Sequence, residues 1–133
     1  MLYDKQVRSL LELAVPVWQP ALTKQEAYQI ERVQKTACHV LLGDKYDSYD
    51  SALRRIGHDS LENRRTQLCI KFAKKSLRNP NHSNWFCPNK AVPKYPYTRG
   101  HKKSQNKLKP VLARTERYEN SPLPYLTNLL NQS

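Results

Sequence analysis

The chain reads as all-α: a small bundle of about four helices over residues 1–79, followed by a Pro-rich, basic, largely irregular tail over 80–133. Three observations predict this. Apolar residues in the first part recur at helical spacing, with no alternating run long enough for a strand. Helix-start and helix-stop residues bracket each periodic run. Seven of the nine prolines lie after Asn79, where helix interiors would not tolerate them.

The first helix is expected from about Tyr3 to Val15, with Tyr3, Val7, Leu10, Leu11 and Ala14 on one face and Pro16 as its stop. The second begins at Thr23, because Thr23-x-x-Glu26 is a capping box. Its apolar face is Ala27, Ile30, Val33, Ala37 and Leu41, and Gly43 closes it as a left-handed cap. The third spans about Tyr49 to Ile56, capped by Ser48 and ended by Gly57, with Ala52, Leu53 and Ile56 inward. The fourth follows Asp59-Ser60 and runs to about Arg78, burying Leu61, Leu68, Cys69, Phe72 and Ala73. The tail has no sustained period, and its aromatics (Trp85, Phe86, Tyr95, Tyr97, Tyr118, Tyr125) are scattered among prolines and lysines. Residues 124–130 hold a short docking helix, since Leu126, Leu129 and Leu130 fall at helical spacing.

A chain of 133 residues with 38% hydrophobic residues and a mean hydropathy of -0.82 supports one small core. No window approaches a membrane span, and no signal peptide is recognisable at the start. The three cysteines are an odd number, which fits a reduced, intracellular setting, the nucleus included. The net charge of +12 makes nucleic acid the default partner, because each neutralised phosphate releases a condensed counterion. Residues 1–79 carry a net +5 and residues 80–133 a net +7, so the tail is the more basic by density.

Two helix faces concentrate the cations. On the second helix, Arg32 and Lys35 project with Tyr28 and His39 from the side opposite the apolar stripe, a pattern suited to phosphate contact with an adjacent stacking ring. On the fourth, Arg64, Lys71, Lys74, Lys75 and Arg78 cluster within about a third of the circumference, and no carboxylate follows Glu62 to pair with them. Such a face repels itself unless a polyanion is near. Lysines act as point charges, so binding without sequence preference follows. Arg65 falls instead on the apolar side, where its role is structural: a packed stem, and a head bonded to a carboxylate or to helix-end carbonyls.

Metal and catalytic constellations are weak. Cys69, His82, Cys87 and His101 are zinc-ligand types, but only His82-x4-Cys87 approximates half a site, so no metal and no cofactor is expected. Asp44, Asp47 and Asp50 lack the glycine and final glutamate of a calcium loop. No nucleophile triad or phosphate-cradling glycine loop stands out.

Several stretches resemble, in order, the region downstream of the catalytic palm in the reverse transcriptases of non-LTR (LINE-like, jockey-like) retrotransposons. Val7-Arg8-Ser9-Leu10-Leu11-Glu12-Leu13-Ala14, Pro16-Val17-Trp18 and Ile30-Glu31-Arg32-Val33-Gln34-Lys35 are similar to that family's "IRSxLEYAxPVW…IExVQKRA". Tyr49 to Gly57 is similar to its "SYEEALKRLG", Leu61 to Arg65 to its "LEERR", and Arg114 to Ser121 with Pro124-Tyr125 to its "TxRYKNSFIPY". Ser121-Pro122 departs from the usual Ser-Phe, and His58-Asp59 from the common Leu-Pro.

The resemblance implies a thumb or post-thumb fragment of an RNA-directed DNA polymerase, with Trp18 as structural packing. Its partners would be RNA or an RNA:DNA duplex, and the missing palm domain in the parent protein. The family's catalytic Y/F-x-D-D is absent from the sequence, so no polymerase chemistry is expected of this chain by itself, and its end looks like the natural end of such an element. The alternative is a helical protein-interaction module, or a decayed fragment without a selected role.

Overall fold

The protein is mostly helical over residues 2–88 and 107–133, the residues that a computed structural model describes, and its regular elements there are all helices. Pro93, Tyr95, Pro96, Tyr97 and His101 lie outside the described residues. A π-helical turn, Tyr3–Arg8, runs into α1 (Ser9–Leu11), and α2 (Val15–Trp18) continues into a 3-10 turn, Gln19–Ala21. Then come α3 (Lys24–Leu42), a 3-10 turn at Gly43–Lys45, α4 (Tyr49–Ile56) and α5 (Leu61–Arg78). A 3-10 turn at Ser83–Trp85, α6 (Glu116–Glu119) and α7 (Pro122–Gln132) complete the order. The one β pairing among the described residues is an isolated antiparallel bridge between Pro88 and Leu108. The chain forms two compact units, Met1–Cys69 and Ile70–Ser133, and the proline boundary at Asn79 lies within the second.

Local signals fix most helix ends of the first unit. Thr23 accepts from the Glu26 amide at 3.3 Å while the Glu26 carboxylate accepts from the Thr23 amide at 2.9 Å, so the capping box closes from both sides. The Thr23 hydroxyl also donates to Glu26 Oε2 at 2.7 Å, and this bond, followed by that from the Thr23 amide, holds the Glu26 carboxyl below the usual carboxylate range. Ser48 and Ser60 cap α4 and α5 through the amides of Ser51 and Asn63. Gly57 takes the left-handed conformation, with φ 74° and ψ 32°, that lets its own amide and that of His58 bond back to Leu53. Gly43 also has positive φ, but its ψ of -124° is not that of the left-handed cap the sequence suggests.

The first helix ends earlier than the proline rule implies. The chain leaves helical winding at Glu12, and Ala14 adopts φ 51° and ψ 28°. Pro16 is therefore inside the first turn of α2, where a missing amide hydrogen costs nothing. Trp18 closes the corner, its indole Nε1 donating to the Leu13 carbonyl at 2.7 Å.

The facing of α3 also differs from the apolar stripe. Gln34 and Cys38 are its buried residues, whereas Val33 and Leu41 are exposed and Val40 is 75% exposed. The inward row is Ala27, Glu31, Gln34, Cys38 and Leu42, at i, i+4, i+7, i+11 and i+15. Cys38 joins Ala52 and Leu53 of α4 in a small core, flanked by Leu42, Tyr46, Tyr49 and Ile56. The polar members of the row satisfy groups from other segments of the first unit. The Glu31 carboxylate accepts from the Tyr49 hydroxyl and, at 3.2 Å, from the amide of Leu61, the first residue of α5. Gln34 donates to the Asp59 carbonyl at 2.9 Å and accepts from the Tyr3 hydroxyl at 3.4 Å. The orphan donor at a helix start explains the choice: a carboxylate meets both the free amide and the positive end of the α5 dipole, which valine could not.

In the second unit, α7 is longer than the expected 124–130 because Pro122 and Pro124 occupy its first turn, where no amide donor is required. Pro124, Leu126, Thr127 and Leu130 are buried, while Leu129 is half-buried. Asn131 extends this helix's hold on the chain: its side-chain amide accepts from the Leu108 amide at 3.0 Å and donates to the Leu108 carbonyl at 3.2 Å, as a neighbouring strand would.

Ala14 supplies a direct check on the early end of the first helix. A non-glycine residue in left-handed geometry is strained by roughly 1–2 kcal/mol, and its exposed methyl makes little packing contribution. Ala14→Gly is expected to raise the denaturant midpoint, with a gain of about 0.5–1 kcal/mol by equilibrium unfolding. A loss of similar size would place Ala14 in an ordinary helix.

Candidate nucleic-acid interface

Buried chemistry in the first unit decides which cations are free. Arg8 Nε bonds Glu12 Oε1 at 3.1 Å, and Arg8 Nη1 reaches Asp4 Oδ1 at 3.4 Å and His58 Nδ1 at 3.2 Å. His58 Nε2 meets Asp4 Oδ1 at 2.9 Å. Because arginine only donates, His58 Nδ1 must accept, so its Nε2 carries the hydrogen given to Asp4. The neutral ring thus satisfies both neighbours. A second proton would point at the Arg8 guanidinium.

Arg64 belongs to this network. Its Nε lies 3.0 Å from Glu12 Oε1, so one of the five cations assigned to the free face of α5 is paired, and its side chain is 42% exposed. The partner is 52 residues away in sequence, which is why no local pattern reveals it. Arg65 is buried at 1% exposure, and its Nε donates to Gln19 Oε1 at 2.9 Å. A neutral side-chain carbonyl thus fills the place where a carboxylate or helix-end carbonyl was expected. Its Nη1 has no partner among the described residues.

The α3 cations sit in aromatic surroundings. Lys35 Nζ lies 5.7 Å from the Tyr28 ring centroid and 5.2 Å from that of Tyr49, so it is held between two π faces. Tyr49 comes from α4, an aromatic neighbour that the spacing along α3 could not supply. Burial, and then its hydrogen bond to Glu31, pushes the Tyr49 phenol well up, so it stays a neutral donor. Arg32 is exposed, with Nη1 3.4 Å from Gln29 Oε1. His39 is also exposed and its ring rests against Tyr46, centroids 5.0 Å apart.

Four cations remain along the later part of α5. Lys71, Lys74, Lys75 and Arg78 are all exposed, and none forms an ion pair among the described residues. At 100° per residue they lie opposite the buried row of Leu61, Arg65, Cys69, Ala73 and Ser76. Lys75 and Arg78 also complement the negative end of the helix dipole. Lys71 and Lys74 precede the last turn, so the dipole does not account for them. These four fall in the second unit and the α3 pair in the first.

Among the described residues, no group of three or more His, Cys, Asp or Glu side chains is placed to hold a metal ion. Cys69 is buried on the apolar side of α5, and burial pushes its thiol up to about 11. Cys38 is likewise buried and raised by burial. No helix among the described residues is long and apolar enough to cross a membrane. Compared with protein-family models, curated proteins and solved structures, the chain matches none.

His58 makes the first unit sensitive to acid. Burial, then Arg8, lowers its pKa below the ordinary 6.5, so the unfolded chain takes a proton that the native ring resists. The stability tied to the neutral ring is complete above about pH 6.5 and is lost as pH falls through the lower native value. Urea unfolding at about pH 7.5 and about pH 5.5 should show the wild type less stable at the lower pH, with a smaller difference in His58→Gln. Equal dependence in both would disprove the assignment.

Proposed function

We propose that this chain is a retroelement-derived fragment that grips nucleic acid without performing polymerase chemistry. The observation that carries the reading is the run Lys71, Lys74, Lys75 and Arg78 on one exposed helix face, none of them in an ion pair among the described residues. Cations at i, i+3, i+4 and i+7 repel one another by roughly 0.2–0.5 kcal/mol per neighbouring pair, and a phosphate backbone removes that penalty. Arg32 and the tyrosine-flanked Lys35 give the first unit a smaller set of the same chemistry. The ordered likeness to the post-palm region of non-LTR reverse transcriptases supports the same reading. Template-primer nucleic acid, RNA or an RNA:DNA duplex, is the partner this implies. Point-like ammonium groups favour backbone contact over base reading.

One observation favours a second reading, a helical protein-interaction module. The first helical segment and α3 leave an apolar groove of about 570 Å³ between them, lined by Leu2, Tyr3, Val7, Val33, Val40 and Leu41. It is the place where the inward turn of Glu31 and Gln34 leaves valines facing out.

Titration of a labelled RNA:DNA duplex against salt separates the two. Nucleic-acid binding should fall linearly with the logarithm of salt, with a slope near -0.9 for each phosphate contacted. Lys71→Glu with Lys74→Glu should weaken it by at least tenfold at low salt and flatten the slope by about two contacts. Absence of binding by the wild type at low salt would leave the groove as the functional surface.

A further inference from the structure

The segment after α5 carries a feature that charge alone does not explain. Short turns follow the helix without a break: the Asn79 amide donates to the Ser76 carbonyl at 3.2 Å, His82 to Asn79 at 3.0 Å, and Trp85 to His82 at 3.0 Å. Phe86 then enters the interior at 3% exposure and pins the segment. Trp85, its neighbour, is 43% exposed, and its indole lies nearly parallel over His82, with centroids 4.3 Å apart and planes 12° from each other. A large ring held flat at the surface has surrendered its rotational freedom before any partner arrives. That is what a stacking surface needs.

We propose that Trp85, backed by His82, is a platform on which one unpaired base of a single-stranded nucleic acid stacks. This rests on the cationic reading of α5, since Lys71, Lys74 and Arg78 of the same unit would hold the phosphates of that strand. Every base has a π face, so the platform is tolerant of sequence, in keeping with lysines that read no base edges. In a duplex, interior bases already stack on both sides and have no face to offer. The pair therefore selects single strands, or the unpaired end of a template, over continuous duplex. His82 contributes by stacking beneath the indole, 4.3 Å between centroids, and so fixing the ring.

The test uses the full chain with three fluorescein-labelled probes of about 15 nucleotides: oligo-dT, oligo-rU and a blunt duplex. Trp85→Ala should weaken binding to both single strands about tenfold and to the duplex less than about twofold. Trp85→Phe, which keeps a ring, should stay within about threefold of the wild type. Oligo-dT and oligo-rU should quench wild-type indole emission, and that quench should vanish in Trp85→Phe, where only Trp18 emits. Far-UV circular dichroism equal to the wild type confirms that each variant is folded. Wild-type binding unchanged by Trp85→Ala, or weakened equally for single strands and duplex, would overturn the platform and leave the cationic grip standing. Failure of the wild type to bind any probe would remove both.

Discussion

The Glu31 carboxylate is the interaction on which the first unit depends. It lies midway along α3, yet it accepts from the Tyr49 hydroxyl at the start of α4 and from the Leu61 amide at the start of α5. One side chain therefore sets the position of three helices. Gln34, one turn on, repeats the device toward the Asp59 carbonyl and the Tyr3 hydroxyl. A charged acceptor at a helix start serves the free amide and the dipole together, so the polar row is chosen over the valines, each of which would offer only apolar area.

That choice propagates to the surface. With Glu31, Gln34 and Cys38 inward, Val33, Val40 and Leu41 face outward and line the groove beside the first helical segment, while Lys35 comes to rest between Tyr28 and Tyr49. The ion network around Arg8 has a parallel effect, because Glu12 takes up both Arg8 and Arg64. Within α5, the cations that form no ion pair among the described residues are then those of its later part, and the proposed grip on nucleic acid follows from where the carboxylates are used.

Features governed by neighbours in sequence were legible. The capping box at Thr23, the serine caps at Ser48 and Ser60, and Gly57 place α3, α4 and α5 within a residue or so of where the sequence puts them, because each cap is formed within a few residues. The burial of Arg65 also followed from helical spacing. Features decided at long range were not legible. Glu31 meets groups 18 and 30 residues away and Arg64 meets Glu12 at 52, so periodicity assigned α3 the wrong inward face and α5 one free cation too many. Proline rules misled at both ends for one reason: they forbid an interior position but permit a first turn, and Pro16, Pro122 and Pro124 all take the permitted place. Within the candidate interface, the α5 lysines were legible from the lack of carboxylates nearby. The stacking of Trp85 on His82 was not, since it depends on turns whose residues show no period.

The most direct measurement compares two single replacements on α3 by equilibrium unfolding. Glu31→Ala removes the acceptor for two donors and should cost about 2–4 kcal/mol, whereas Val33→Ser changes an outward position and should stay within about 0.5 kcal/mol of the wild type. The reverse order, a tolerated Glu31→Ala and a severe Val33→Ser, would mean that α3 buries its apolar stripe, and would contradict both the polar row and the surface derived from it.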